Sequence, residues 1–199
     1  MSRTHEKNAW ARDNRAANLS LRHSASFYLS ARRLLLSAAF RTVMPGLVCG
    51  SYAIEQLLKA ALGYEKIEFP RGNPGHNLVS LAELLPTKPA QAYLEDLQLF
   101  REYFDSRYFD NETNVNGLRS DEYKRLDDLY YHFYKDLKIP LQYHCDAGVL
   151  VCLPRPTANS SDLEIFQLHN AHFGDYVVLQ RSSEELRNAV EHTDARTCR

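Results

Sequence analysis

Apolar side chains recur every three or four residues through successive stretches of this chain, and that period confines most of it to amphipathic α-helices packed on one another. From about Leu19 to Val43, the residues Phe27, Ala31, Leu34, Leu35 and Ala38 share one helical stripe, which Pro45-Gly46 is placed to break. Pro45 can also open the next segment, because a first-turn residue has no intrahelical use for its N–H. There Leu47, Ser51, Ile54, Leu58 and Ala61 line up ahead of Gly63 as a stop. So short a joint predicts an antiparallel helix pair.

A Pro/Gly loop, Phe69 to Gly75, leads to a short helix from about His76 to Leu85, closed by Pro86. Pro89 opens a fourth helix whose stripe is Tyr93, Leu97, Phe100, Phe104 and Tyr108. Beyond the polar loop Asn111 to Gly117, a fifth helix near Ser120 to Leu137 carries Tyr123, Leu126, Tyr130, Phe133 and Leu137. Ten of the 22 aromatic residues fall between Phe100 and Tyr134 at this burial spacing, so they read as core or dimer interface rather than a base-stacking platform. The pattern changes at Pro140. Short β-leaning runs (Gly148 to Leu153, Tyr176 to Leu179) alternate with turn-rich stretches, and Ser182-Ser-Glu-Glu185 fits a capping box before a last short helix ending near His192. The expected architecture is therefore mainly α: a basic arm over 1–19, an antiparallel five-helix bundle over 20–138, and a small α+β extension over 141–199.

The formal net charge is −1, which excludes a blanket cationic field, yet residues 1–41 carry eight Lys/Arg against Glu6 and Asp13. This first fifth is +6 and the remainder −7, a polarity suited to an RNA-facing or partner-facing arm. An Arg-rich, Ser-rich start also resembles an organellar transit peptide, but the helical period runs straight through it. Apolar stretches such as Leu34 to Phe40 fall far short of the ~20 residues of a bilayer span, so no membrane partner is expected. Cys49, Cys145, Cys152 and Cys198 form no secretory framework, and the reading is a reducing, cytoplasmic compartment.

Taken together, the segments from about Ser24 to Asp110 resemble the HEPN family of small helical domains found in prokaryotic toxin–antitoxin, CRISPR and antiviral proteins and in nucleotidyltransferase partners. The likeness rests on the Ala-rich helix pair, the run Ala53-Ile-Glu-Gln-Leu-Leu-Lys-Ala60, the loop Gly75-His-Asn-Leu78 and the helix-ending Arg107-Tyr-Phe-Asp110. With the fifth helix it covers roughly residues 20 to 138. The resemblance implies a homodimeric five-helix bundle, RNA or a nucleotidyltransferase-type protein as partner, no cofactor and, in active members, metal-independent RNA cleavage. There an Arg and a His separated by four to six residues meet their symmetry mates across the dimer cleft. Imidazole relays a proton from a ribose 2′-hydroxyl while guanidinium stabilises charge on the phosphoryl oxygens.

Two placements of that pair are open. Arg107 stands where the family's Arg-Tyr-Pro-Asp variant has its Arg, but Phe109 replaces the Pro and no His follows at the required interval. Helix-dipole and ring contacts are its structural alternative. Arg125 and His132 have six residues between them and share a helix face about 10 Å apart along the axis, with His132 as proton shuttle. Asp121 and Asp128 lie on the same face, which favours a solvated, ion-paired surface over phosphate binding. The resemblance places Lys59, His76, Tyr108 and Asp110 at the substrate. Bland readings stand beside these: Glu55 and Lys59 as a surface i, i+4 pair, and His76 as a cap of the short helix. No Asp/Glu pair stands out for acid/base work.

Other chemistries find no support. Cys145, Cys152, His169 and His172, near His144 and Asp175, are spaced Cys-x6-Cys and His-x2-His, unlike the usual zinc patterns, so no metal is expected. Phosphate-cradling glycine loops, Gly-x-Ser-x-Gly and His-Glu-x-x-His are absent. The competing expectation is a non-catalytic module that dimerises through its aromatic stripes and holds a partner with its basic arm.

Overall fold

The three- and four-residue apolar spacing does produce helices. The computed structural model describes residues 13–36, 40–105 and 122–137, and among these the regular structure is five α-helices and one 3-10 turn, with no strand. We label them α1 (Arg15–Leu36), α2 (Phe40–Tyr64), α3 (Leu78–Glu83), α4 (Gln91–Asp105) and α5 (Glu122–Lys135); the 3-10 turn Asn73–His76 precedes α3. The α+β extension expected over 141–199 lies outside the described residues. No helix among the described residues is long and apolar enough to cross a membrane.

Helices α1 and α2 are antiparallel. A Cβ on Gly46, early in α2, would lie 2.9 Å from Leu35 Cγ late in α1, and one on Gly63 would lie 2.9 Å from Ala17 Cβ near the start of α1. The two backbones approach this closely because glycine has no side chain at either end of the contact. Helices α4 and α5 are also antiparallel, since Tyr93 faces His132, Asp96 faces Arg125, and Tyr103 faces Glu122. Gly50 marks where α2, α4 and α5 converge, its Cβ position being 3.1 Å from Phe100 and 3.2 Å from Leu126.

Three boundaries differ from expectation. Pro45 lies inside α2, which starts at Phe40, so Pro45-Gly46 does not break the chain. A proline there forfeits a hydrogen bond at a cost of about 3 kcal/mol. Burial of Leu47 and the close seating of Gly46 on Leu34 and Leu35 offset that, at roughly 1.5–3 kcal/mol per buried aliphatic side chain. Gly63 is not the stop either. Helix α2 ends in a Schellman-type turn with Ile67 N–H bonded to the Leu62 carbonyl at 2.9 Å, and Lys66 takes the left-handed conformation at φ 59°. Finally, α1 begins at Arg15, with Asn14, Ala17 and Asn18 buried, so the end of the stretch read as a basic arm belongs to the packed helix.

The stripe of α2 is buried as read: Leu47, Ser51, Ile54, Leu58 and Ala61 all face the core. So are Leu97, Phe100 and Phe104 of α4, and Leu126, Tyr130 and Phe133 of α5. These rings belong to the core of the chain itself, which removes them as a dimerising stripe. In α1, Ala31 of the expected stripe is buried and Phe27 and Leu35 pack half-buried against the core, while the buried set also takes in Leu21, Ser24, Ala25, Tyr28 and Arg32; Ala38 lies outside the described residues. Arg32 is fully buried and ion-paired with Asp127, whose Oδ1 also accepts from Tyr28 Oη at 2.6 Å. The Tyr28 ring stacks on Tyr130 at 4.0 Å, and Ser24 Oγ donates to the Ala53 carbonyl at 2.7 Å. Burial pushes the Asp127 carboxyl upward, opposed by the Arg32 charge and the hydrogen bonds from Arg32 and Tyr28. One of the eight positive charges counted toward a basic arm is therefore internal.

Breaking one side of such a pair leaves an uncompensated charge in the core. Asp127→Ala is expected to destabilise the fold by about 3–5 kcal/mol, read by urea unfolding, whereas Arg32→Met with Asp127→Leu costs far less. Equal losses in the two variants would contradict a buried charge pair.

Candidate functional site

Glu55 shows how the candidate site is built. It follows Ile54 on the core side of α2 and is only 2% exposed. A carboxylate so desolvated carries a penalty of several kcal/mol unless cations and hydrogen bonds meet it. Both oxygens are met. Lys59 Nζ, one turn on, donates to Oε1 at 2.7 Å, and His76 Nδ1 lies 2.9 Å from Oε2. Gln56 Nε2 adds a longer contact to Oε1 at 3.4 Å. The Lys59 ammonium also sits 5.7 Å from the centre of the Phe69 ring, a cation–π distance.

The loop before α3 delivers His76. Gly72 adopts φ 69°, a left-handed value suited to glycine. A Cβ on Gly75 would fall 2.3 Å from the Pro70 carbonyl oxygen, so this close chain reversal admits no side chain there. Asn77 then caps α3, its side chain accepting from Ser80 N–H at 3.2 Å. Capping belongs to Asn77, and His76 is left to turn onto Glu55. The imidazole also stacks on Phe104 of α4, with centroids 5.9 Å apart; Phe104 meets Tyr52 edge-on at 4.9 Å, and Tyr52 stacks on Phe27 at 5.2 Å. The His76 side chain remains 42% exposed, and its Nε2 has no hydrogen-bond partner among the described residues. The pair read as surface stabilisation is thus a buried carboxylate joining a lysine to a half-exposed histidine.

The Arg125/His132 placement looks different in three dimensions. Arg125 Nη1 donates to Asp96 Oδ1 of α4 at 2.6 Å, a cross-helix ion pair. The His132 ring stacks on Tyr93 at 3.8 Å, and its Nδ1 is buried without a hydrogen-bond partner among the described residues. Burial and, secondarily, the Lys135 charge hold His132 below the usual histidine value, with Asp136 opposing. It lines a cavity of about 80 Å³ with Ala61, Tyr64, Leu85, Phe133 and Asp136. Arg125 is therefore engaged by a carboxylate and His132 is packed as an aromatic ring. Arg107, Tyr108 and Asp110, like Asp121, Cys145, Cys152, His169 and His172, lie outside the described residues. Among the described residues no group of three His, Cys, Asp or Glu side chains could hold a metal ion.

Comparison of the chain with protein-family models, with curated proteins and with solved structures finds no match.

Sequence reasoning missed the burial of Glu55 and of the Arg32–Asp127 pair. A signal existed for the pair. Leu21, Ala25, Tyr28 and Arg32 keep a four-three-four spacing, and Tyr123, Asp127 and Tyr130 keep four-three, so both charges fall on core stripes.

The environment of His132 makes stability depend on pH. Its folded pKa lies below the unfolded value of 6.5, so its contribution is complete above pH 6.5. It is lost as the pH falls, because the unfolded chain takes up the proton first. His132→Phe keeps the stack on Tyr93 and removes the titration, so its melting temperature should fall less than wild type between pH 7.5 and 5.5. Parallel falls in the two proteins would contradict the assignment.

Proposed function

We propose that this protein is an HEPN-like homodimer of helical bundles that acts in the cytoplasm, binding RNA and cleaving it without a metal ion, with Arg107 as a phosphate contact. One observation carries the reading. The two motifs Ala53-Ile-Glu-Gln-Leu-Leu-Lys-Ala60 and Gly75-His-Asn-Leu78 are distant in sequence, and the Lys59–Glu55–His76 constellation joins them at a half-exposed surface. The buried acid holds a lysine and an imidazole together beside Phe104, near the end of α4. Arg107 follows Asp105, the last residue of α4, by two positions in the chain. Guanidinium suits a phosphodiester because its planar fork makes two parallel hydrogen bonds to phosphate oxygens.

A second reading is a non-catalytic dimeric module for a nucleotidyltransferase-type or other protein partner. It is favoured by the engagement of Arg125 with Asp96 and the packing of His132 under Tyr93, which leave that helix without a phosphate-binding pair among the described residues.

Labelled single-stranded RNA of mixed sequence, incubated with the full chain in EDTA, tests the choice. The expected result is salt-dependent binding and shortening of the RNA. Arg107→Ala should weaken binding about tenfold and reduce the slope of log affinity against log salt by about one. His132→Ala should leave cleavage intact. No binding and no cleavage at low salt would overturn the RNA reading and select the interaction module.

A further inference from the structure

We infer that His76 is the proton acceptor of the RNA-cleaving site and that Glu55 is its positioning residue, a pair within one chain that replaces the expected helical Arg/His spacing. This rests on the proposed RNA cleavage and adds to it the group that accepts the proton.

Three features of the geometry lead there. First, an ionised Glu55 is only an acceptor, so its Oε2 at 2.9 Å from Nδ1 places the imidazole proton on Nδ1 and the lone pair of the neutral ring on Nε2. Second, the ring is held on two sides, by a carboxylate 2% exposed and by the face of Phe104, while the side chain is 42% exposed. A base oriented from behind and open in front can meet a hydroxyl without being rebuilt for each encounter. Third, Lys59 shares the same carboxylate through Oε1, so the charge behind the imidazole is already balanced and does not repel an approaching phosphodiester. His132 offers the contrast: stacked on Tyr93, with a buried Nδ1 that meets no described partner, it lacks an acid to set its tautomer.

The step is a transesterification. Nε2 takes the proton of a ribose 2′-hydroxyl as the oxygen lone pair forms a bond to phosphorus. The bond from phosphorus to the 5′-oxygen breaks, and its electron pair leaves on that oxygen, which gains a proton from water. The imidazolium returns its proton to solvent. The products are a 2′,3′-cyclic phosphate and a 5′-hydroxyl, with no redox partner and no metal consumed.

The experiment uses the full chain in EDTA on labelled single-stranded RNA and on the same strand with a single ribose among deoxyriboses, with circular dichroism to follow helicity. Wild type should cleave the second strand only at its ribose. His76→Asn, which can still donate to Glu55 but carries no basic ring nitrogen, should lose about 100-fold or more in cleavage rate with helicity unchanged. In His76→Ala, added imidazole should restore part of the rate, which a merely structural role would not allow. Nitrogen NMR of wild type should show the neutral His76 ring protonated at Nδ1, and Glu55→Gln should abolish that preference. Wild-type cleavage that persists undiminished in His76→Asn, or a ring protonated at Nε2, overturns the role of His76 while leaving RNA cleavage standing. No cleavage by wild type overturns both together.

Discussion

A carboxylate that cannot reach water constrains everything around it, and Glu55 is that constraint for the proposed site. Its position beside Ile54 on the core side of α2 means that cations must come to it. Lys59 comes through the periodicity of the helix, since i and i+4 share a face. His76 comes through the chain reversal at Gly75, where the Pro70 carbonyl leaves no room for a Cβ. The geometry of the imidazole therefore follows from how the loop must fold to satisfy a buried charge. A site obtained this way is held before any ligand arrives.

Of the three buried carboxylates among the described residues, Asp127 and Glu55 are used differently. Asp127 is met by Arg32, which is fully buried, and by Tyr28, so every group in that cluster is spent on holding α1 against α5. Glu55 is met by side chains that reach outward, Lys59 at 16% exposure and His76 at 42%. The first arrangement fixes helix packing; the second carries a protein-oriented group to the surface. His76 and His132 divide similarly. Each stacks on an aromatic ring, but His76 has an acid behind it, whereas His132 is buried enough for its protonation to be disfavoured.

Much of the described fold was legible because the apolar stripes of α2, α4 and α5 follow helical spacing almost without interruption. The signals that failed were local ones. Pro45 and Gly63 read as punctuation by residue type, yet both lie within α2, where the glycines Gly46 and Gly63 serve close contact with α1. Propensity rules weigh a residue by its own backbone preference, while here packing of two helices along their length decides. Charge as a residue type points to the surface and hides Arg32, Glu55 and Asp127, although the spacing of Arg32 and Asp127 places those two on buried faces. The order of motifs singles out Lys59 and His76, but nothing in the letters says that both touch Glu55. That link depends on a loop conformation and a partner 21 positions away in the chain.

RNA is proposed to meet this protein at the surface where Glu55 holds Lys59 and His76. Side-chain NMR of the full chain during titration with single-stranded RNA whose 2′-hydroxyls are methylated, which blocks cleavage, measures it directly. The His76 ring and the Lys59 ammonium signals are expected to shift saturably together, with His132 undisturbed. Shifts confined to His132 and its neighbours, or none at His76 while RNA is bound, would contradict it.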